Sequence, residues 1–558
     1  MKPPENILHR VEILMQARFL FCEGHCGTNI DNITVCLDGK NIGNADLNFV
    51  NFRFGGNNSW KYENEISDIS EGEHLIEIQF NIGRKNVARI EREVRLNERK
   101  FCQRLKFPID FDRDFSNIGP EIILLEHPSL DSPEIKNVYN KQIFEHIADY
   151  FNIYGYQLIL VTFNSKLISD LGFKHIPLPG IEIKSEIVKD ITFAPEYQTV
   201  RDKVFESICK TTGNSLVNNN LNPIDEKNCK ETTLERAVQF ECLLRKFKPK
   251  LLITWCEFNA RTPILRSLTD VHEIPSVVTH EGFLPQTLQI DKGGEIARSY
   301  PCRKHKSFQT LHVGKSDLER ADEFLAVSIK KGSRNRQVPV PENMIKRINQ
   351  ARENGKKILF YVGCNDWLMG MRPIWLDHEE RKASPFIDTY DALNELIRLA
   401  RKNNWHLIFK PHPHYNSSLL QKILQKHIYF KDITISYSGN IFEFISVADV
   451  VITLMSSASY ESLLHNVPVV LLGIHPMSKK GIAFECTHCS ELETVIEMAI
   501  KRECWSEKKK AWKLFLARMI KYYLFPQSED IATLMNKSID EAARFLLKQV
   551  KFGKIKPL

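Results

Sequence analysis

Three short stretches of the chain hold side chains whose types and spacing suit proton transfer and anion binding. The first, His280-Glu281-Gly282-Phe283-Leu284-Pro285-Gln286-Thr287, follows an apolar strand pattern and continues to Asp291-Lys292-Gly293-Gly294 and Ser299. A carboxylate at the carboxyl end of a strand, followed by glycine, puts Glu281 where a ligand can approach the backbone closely. There it can serve as a base or a nucleophile. Capping of a helix or opening of a turn is the plainer role for the same residue. The second stretch is Lys410-Pro411-His412-Pro413-His414-Tyr415. Its prolines remove backbone donors and stiffen the chain, so His412 sits on a rigid extended loop between Lys410 and His414, able to give a hydrogen bond or a proton to a leaving anion. The third, Thr453-Leu454-Met455-Ser456-Ser457-Ala458-Ser459-Tyr460-Glu461, reads as a strand turning into a helix. Ser456 and Ser457 fall where the first helical N–H groups and the positive end of the helix dipole converge. Capping by serine uses the same geometry, so the two roles coexist.

Each stretch needs a strand behind it, and the hydropathy pattern supplies one. Over the first ~110 residues apolar and polar side chains alternate at period two, as in Ile33 to Leu37 and His74 to Phe80, with turn clusters at Asp38-Gly39 and Gly55-Gly56. This predicts an immunoglobulin-like β-sandwich over residues 1–112. From about residue 115 apolar strands alternate with helix-period segments: 121–126, 156–161, 250–255 and 275–280 read as strands, and 143–151 as a helix. Such runs imply a parallel sheet covered on both faces, a Rossmann-like domain over 113–335. After a linker-like stretch at 332–343 a second α/β unit, 336–505, restarts with strands at 357–363, 405–410, 433–436, 450–454 and 467–473. Two consecutive Rossmann-like domains leave a cleft at the carboxyl ends of both sheets, the layout of a GT-B glycosyltransferase, which other two-domain α/β proteins share.

Composition narrows the classes. The chain has 558 residues, 43% of them hydrophobic and 26% charged, which excludes a single small module and a low-complexity protein. Its net charge of +7 belongs to the end of the chain, because residues 501–558 hold 14 basic and 6 acidic side chains and the remainder is one charge negative. A near-neutral body argues against a nucleic-acid enzyme. Within 506–558, a basic helical tail, Trp512, Phe515, Leu516, Met519, Ile520 and Tyr523 recur on one helical face while Lys509, Lys510, Lys513 and Lys521 lie outside that stripe. That stripe either packs on the Rossmann domains or docks on anionic lipid. No apolar run is long enough for a membrane span and no signal-type core follows the start, so a cytoplasmic protein is expected, with peripheral contact at the inner face of the cytoplasmic membrane. The thirteen cysteines are scattered, and the pairs Cys22/Cys26 and Cys486/Cys489 lack the partner pair of a structural zinc, so no metal is expected. There is no P-loop, GxGxxG, nucleophile elbow or HExxH.

Together the three loops resemble the bacterial capsule-polysaccharide synthesis proteins, including β-Kdo transferases, with a looser likeness to bacterial sialyltransferases. The resemblance rests on Glu281-Gly282, Leu284-Pro285, Thr287, Asp291, Gly294 and Ser299, on Lys410-Pro411-His412-Pro413, and on Ser456-Ser457 with Glu461 and Pro468, and covers about residues 250 to 475. It implies that Glu281 is the catalytic carboxylate and that His412, with Lys410 and His414, contacts a nucleotide phosphate held by Ser456, Ser457 and Glu461. Gly282, Thr287, Asp291, Ser299 and Asp366 are then expected to shape the donor or acceptor loops. The Gly363-Cys364-Asn365-Asp366 turn and His414 depart from the family pattern. The implied activity is transfer of Kdo or another CMP-activated acidic sugar to a glycan or lipid-linked glycan, with a nucleotide sugar as co-substrate and no separate cofactor. A UDP-sugar or CDP-polyol donor, or a non-catalytic glycan-binding protein, are the alternatives.

Overall fold

The computed structural model describes residues 8–16, 19–26, 30–45, 59–65, 72–82, 85–96, 121–127, 130, 138–163, 172–178, 181, 183–217, 223–257, 261–331, 339–366, 369–371, 383–413, 417–427 and 431–552. The N-terminal part is sheet-rich, as its period-two pattern requires. Strands β1 (Leu8–Gln16), β2 (Phe19–Cys26), β3 (Asn32–Leu37), β4 (Lys40–Asn44), β5 (Ser59–Glu65), β6 (Gly72–Ile82) and β7 (Lys85–Leu96) form two antiparallel sheets, β1-β2-β5 and β4-β3-β6-β7. Ile33, Val35, Ile76, Ile78 and Phe80 are buried on one face of the four-stranded sheet. The side chains of the other sheet lie outside the described residues, as does the face-to-face packing that would make a sandwich.

Two α/β units follow. The first is built on β8 (Ile122–Glu126), β9 (Gln157–Thr162), β10 (His175–Pro177), β11 (Leu251–Trp255), β12 (Ser276–Glu281) and β13 (Thr287–Asp291). The second is built on β14 (Ile358–Val362), β15 (His406–Lys410), β16 (Ile433–Ile435), β17 (Val450–Thr453), β18 (Val469–Leu471) and β19 (Phe484–Glu485). The second sheet is parallel throughout, in the order β16-β15-β14-β17-β18-β19. Its strands are runs of Val, Ile, Leu and Phe because helices cover both faces. The first sheet, β10-β9-β8-β11-β12-β13 with a seventh strand from the end of the chain beside β13, is parallel as far as β12, where the chain folds back antiparallel into β13. In both sheets strand order reverses beside the first strand, β8 or β14. Ligands of open α/β sheets bind outside the carboxyl ends at that reversal. The pair of Rossmann-type domains is therefore of the GT-B kind. Residues 332–338 of the expected linker lie outside the described residues.

The last part of the chain, set apart as a tail by its charge, is built into this body. Helix Trp505–Arg518 and the π-helical turn Met519–Tyr523 lead to β20 (Leu524–Pro526), which pairs with β13. Helix Glu541–Phe552 then lies against helix Val138–Ile153, where Asp540 accepts from His146 at 2.7 Å. Trp512, Phe515, Leu516, Met519, Ile520 and Tyr523 are all buried. Of the flanking lysines, Lys508 donates to the Ala483 carbonyl, Lys513 to Asp322 and Lys521 to Asp317. The stripe thus serves packing. No helix among the described residues is long and apolar enough to cross a membrane.

Candidate active site

The carboxyl edges of the two sheets enclose a cavity of about 620 Å³. From the first domain come Cys256 after β11, His280 and Glu281 at the end of β12, and Glu295, Ile296 and Ser299 from the loop after β13. From the second come Gly363 to Asn365 after β14, Lys410 to Pro413 after β15, Ser438 to Ile441, Met455 to Ala458 after β17, Tyr460, Glu461 and His475. Glu281, Ser299, Lys410, His412, Ser456, Ser457 and Glu461, all expected from the sequence, therefore share one cavity. His414 lies outside the described residues.

Across this cavity the carboxylate and the anion-binding candidates stand on opposite domains. Glu281 is the last residue of β12, and the Phe283 ring two residues on stacks on Tyr460 at 4.0 Å, joining its loop to helix Ala458–Leu464. Lys410 is the only lysine or arginine among the described lining residues, and burial pushes its pKa down. Ser457 opens helix Ala458–Leu464 without a side-chain cap bond, while Ser456 Oγ accepts from the Ala458 N–H at 3.3 Å. The turn is braced from behind. Met477 N–H donates to His475 Nδ1 at 3.3 Å, so Nε2 carries the proton and meets Ser459 Oγ at 3.1 Å, whose hydroxyl donates to the Ser456 carbonyl at 2.8 Å. Desolvation pushes the buried His475 down to about 3, so it stays a neutral strut.

Four expected site residues have structural work instead. Gly282 is glycine because a Cβ there would lie 2.1 Å from Thr287 Oγ1 and 2.8 Å from Leu524 Cδ2, so packing rather than ligand approach demands it. Thr287 is buried with its hydroxyl on the Leu284 carbonyl at 2.8 Å. Asp291 is buried and accepts from the Tyr300 and Gly293 N–H groups, the Tyr523 hydroxyl and Arg303, which staples the loop after β13 to the returning chain. Asp366 is buried beneath the cavity, accepting from Thr389 N–H at 2.9 Å and Thr389 Oγ1 at 2.7 Å. Desolvation, then the nearby Asp388, raises it to about 7. These residues pin the loops without lining the cavity. Ser299 does both, since its hydroxyl donates to the Ile296 carbonyl at 2.6 Å.

Other lining residues escaped the sequence reading. Cys256 follows a strand recognised as such, and the polar residues after its end were the signal. His475-Pro476 repeats, after β18, the His-Pro step seen after β15. Glu295 carried no such signal, because only the hairpin from β12 to β13 returns it to the cleft. Where no metal was expected, Cys256, His280 and Glu295 each place one ligand-type atom within 4.8 Å of the others.

A known protein family matches about a quarter of the chain. Residues 374–507 match the family described as capsule polysaccharide biosynthesis protein, so the expected resemblance holds in the second Rossmann domain. No curated protein matches the chain. Solved structures similar to it include two from Thermosulfurimonas dismutans. KpsC β-Kdo 2,7 transferase is 19% identical over 56% of this chain and 89% of its own, with a TM-score of 0.32. KpsC β-Kdo 2,4 transferase is 14% identical over 55% and 88%, with a TM-score of 0.35. The UDP-GlcNAc 2-epimerase of Methanocaldococcus jannaschii, in complex with UDP-GlcNAc and UDP, is 12% identical over 68% and 93%, with a TM-score of 0.32.

Proposed function

We propose that the protein is a glycosyltransferase of surface-polysaccharide synthesis, moving a sugar from a nucleotide donor to a glycan or lipid-linked glycan. The observation that carries this reading is the opposition, across one cavity, of Glu281 on the first domain to Lys410, His412, Ser456 and Ser457 on the second. The donor phosphate would sit against the second domain, where Lys410 supplies charge and the serine turn supplies hydroxyl and N–H donors. The sugar would then reach toward Glu281. Its carboxylate takes the proton of the acceptor hydroxyl as that oxygen attacks the anomeric carbon, or attacks that carbon itself if configuration is retained. His412 would protonate or hydrogen-bond the departing phosphate. Held this way, the leaving group needs no Mg²⁺.

The motifs Glu281-Gly282, Lys410-Pro411-His412-Pro413 and Ser456-Ser457, through the family they resemble, favour an acidic sugar activated as CMP, Kdo or a nonulosonic acid, as donor. Incubation of the protein with CMP-Kdo, CMP-nonulosonic acid and UDP-sugars, with release of free nucleotide as the readout, tests it. CMP release that Glu281→Gln suppresses supports the reading. UDP release alone would move the donor, and no release from any donor, with or without a glycan acceptor, would favour a binding protein.

A further inference from the structure

Cys256, His280 and Glu295 have no part in the transfer scheme, yet they converge from three segments of the chain. β11 and β12 are parallel neighbours, so Cys256 and His280 arrive side by side at their carboxyl ends. β13 runs back antiparallel, and the loop beyond it returns Glu295 to the same edge. All three line the cavity beside Glu281.

Each residue is placed by the chain around it. Cys256 adopts φ 58, the left-handed region a non-glycine residue enters only when its surroundings impose it, with its N–H on the Thr279 carbonyl at 2.9 Å. His280 Nδ1 lies 3.0 Å from the Glu281 carbonyl oxygen. A carbonyl can only accept, so Nδ1 carries the proton and Nε2 presents its lone pair, the tautomer that metal ligation uses. Glu295 is buried, and its Oε1 accepts from the Glu257 N–H at 2.9 Å while Glu257 Oε2 accepts in return from the Glu295 N–H at 3.2 Å. Gly294, at φ 126, makes this clasp possible, since a Cβ there would lie 1.5 Å from Glu257 Oε2. Arg266 and Arg298 both pair with Glu257. Among the described residues no lysine or arginine pairs with Glu295. A buried carboxylate is costly unless a proton or a cation joins it.

We propose that Cys256, His280 and Glu295 form a zinc site whose fourth position opens into the cavity. One soft thiolate, one imidazole and one carboxylate suit Zn²⁺ rather than Mg²⁺ or Ca²⁺, and three protein ligands with an open position is the pattern of a reactive site. Tetrahedral bonds of about 2.0 to 2.3 Å need ligand atoms about 3.3 to 3.8 Å apart, within reach of side-chain rotation from the spacing here. On binding, the Cys256 S–H bond breaks, the sulfur keeps the electron pair as a thiolate bonded to zinc, and the proton leaves to solvent. Affinity therefore rises with pH. A hydroxyl at the open position would lose its proton more readily beside Glu281.

Metal binding is read without sugar or nucleotide, so it stands or falls apart from the transferase reading. Chelator-stripped full-length protein is titrated with Co²⁺ and then Zn²⁺. The site predicts one equivalent bound, a thiolate-to-cobalt charge-transfer band, and loss of that band as zinc displaces cobalt. C256S should abolish the band, and C489S, which alters an exposed thiol away from the cavity, should keep it. E295Q, isosteric and with a circular dichroism spectrum to verify folding, should lose stoichiometric zinc. Absence of the band in the wild type, its survival in C256S, or full zinc occupancy in folded E295Q would overturn the proposal.

Discussion

Lys410→Met separates the binding role of the cavity from the stability of the fold, because the two should respond with opposite signs. Lys410 ends β15 half-buried among the residues lining the cavity, and desolvation lowers its pKa. A lysine whose folded pKa lies below its unfolded value costs stability in full below the folded pKa, and that cost fades as pH rises from the folded to the unfolded value. At neutral pH the wild type bears it, so methionine, which keeps the aliphatic stem, should leave Tm unchanged or raise it. Nucleotide binding should move the other way. A charge-assisted contact to phosphate contributes about 1.5 to 3 kcal/mol, which at about 1.36 kcal/mol per tenfold weakens CMP or UDP by about 10- to 150-fold. A bound phosphate also restores the lysine's proton affinity, so wild-type affinity should fall as pH rises through the free lysine's pKa, and the variant should lack that slope. Calorimetric titration at two pH values with a parallel melting curve reads both effects. Unchanged affinity for every nucleotide tested would remove Lys410 from the phosphate site. A drop in Tm alongside weaker binding would show that the loop had collapsed and refute the separation of roles.

Glu281→Gln keeps the shape of the side chain and removes its charge, so turnover should fall by about 100-fold or more while nucleotide affinity stays within about twofold; activity near wild type would exclude it as the acting carboxylate. His412→Ala and Ser457→Ala should each weaken nucleotide binding by about 0.5 to 3 kcal/mol, and calorimetry showing neither effect would place the phosphate elsewhere. Asp366, raised to about 7 by burial and the nearby Asp388, costs stability increasingly as pH rises from about 4 to about 7. Asp366→Asn should flatten that decline, and a stability curve parallel to wild type across the window would contradict the assignment. Trp512→Ala should destabilise by about 3 to 5 kcal/mol without changing lipid affinity. Contact with anionic vesicles, if made by the exposed Lys509 and Lys510, should weaken with salt and be lost on changing both to Gln; salt-insensitive pelleting would refute an electrostatic contact.

Much of this architecture was legible in the sequence because its signals are local. The buried strands of both Rossmann units are unbroken apolar runs, and every one identified from the sequence is present, from 121–126 to 467–473. Five of the seven expected residues that reached the cavity, Glu281, Lys410, His412, Ser456 and Ser457, sit at or just past strand ends, where periodicity alone locates them. What escaped depends on long-range pairing. β20 is three residues long, Leu524–Pro526, and acquires meaning only by pairing with β13 more than 230 residues earlier. Asp291 reads as a cleft residue, since it too stands at a strand end, but β13 runs antiparallel and turns its carboxylate into the staple formed with Tyr300, Arg303 and Tyr523. Gly282 misled for a related reason, its neighbour Leu524 being supplied by the returning chain.

That returning chain also determines how independently the two domains can move. Leu284, Phe308 and Phe324 from the first domain's side share one buried cluster with Leu407, Val469 and Leu471 of the second sheet and with Trp512, Phe515 and Leu516 of the helix between them. Phe283 stacks on Tyr460 at 4.0 Å, beside Trp512 and Phe515. A cleft joined only by a linker could open as a hinge, whereas prying this one apart would expose a continuous apolar core at about 25 cal/mol per Å². The position of Glu281 relative to the serine turn is therefore set by the packing of Phe283 against helix Ala458–Leu464 rather than by ligand-driven closure. Phe283→Ala should accordingly lower turnover more than it weakens nucleotide binding, since Lys410, His412 and the serine turn all belong to the second domain and keep their own supports. Equal losses in both, measured by donor hydrolysis and calorimetry on the same preparation, would mean that the aromatic contact holds the phosphate site itself and not its alignment with the carboxylate.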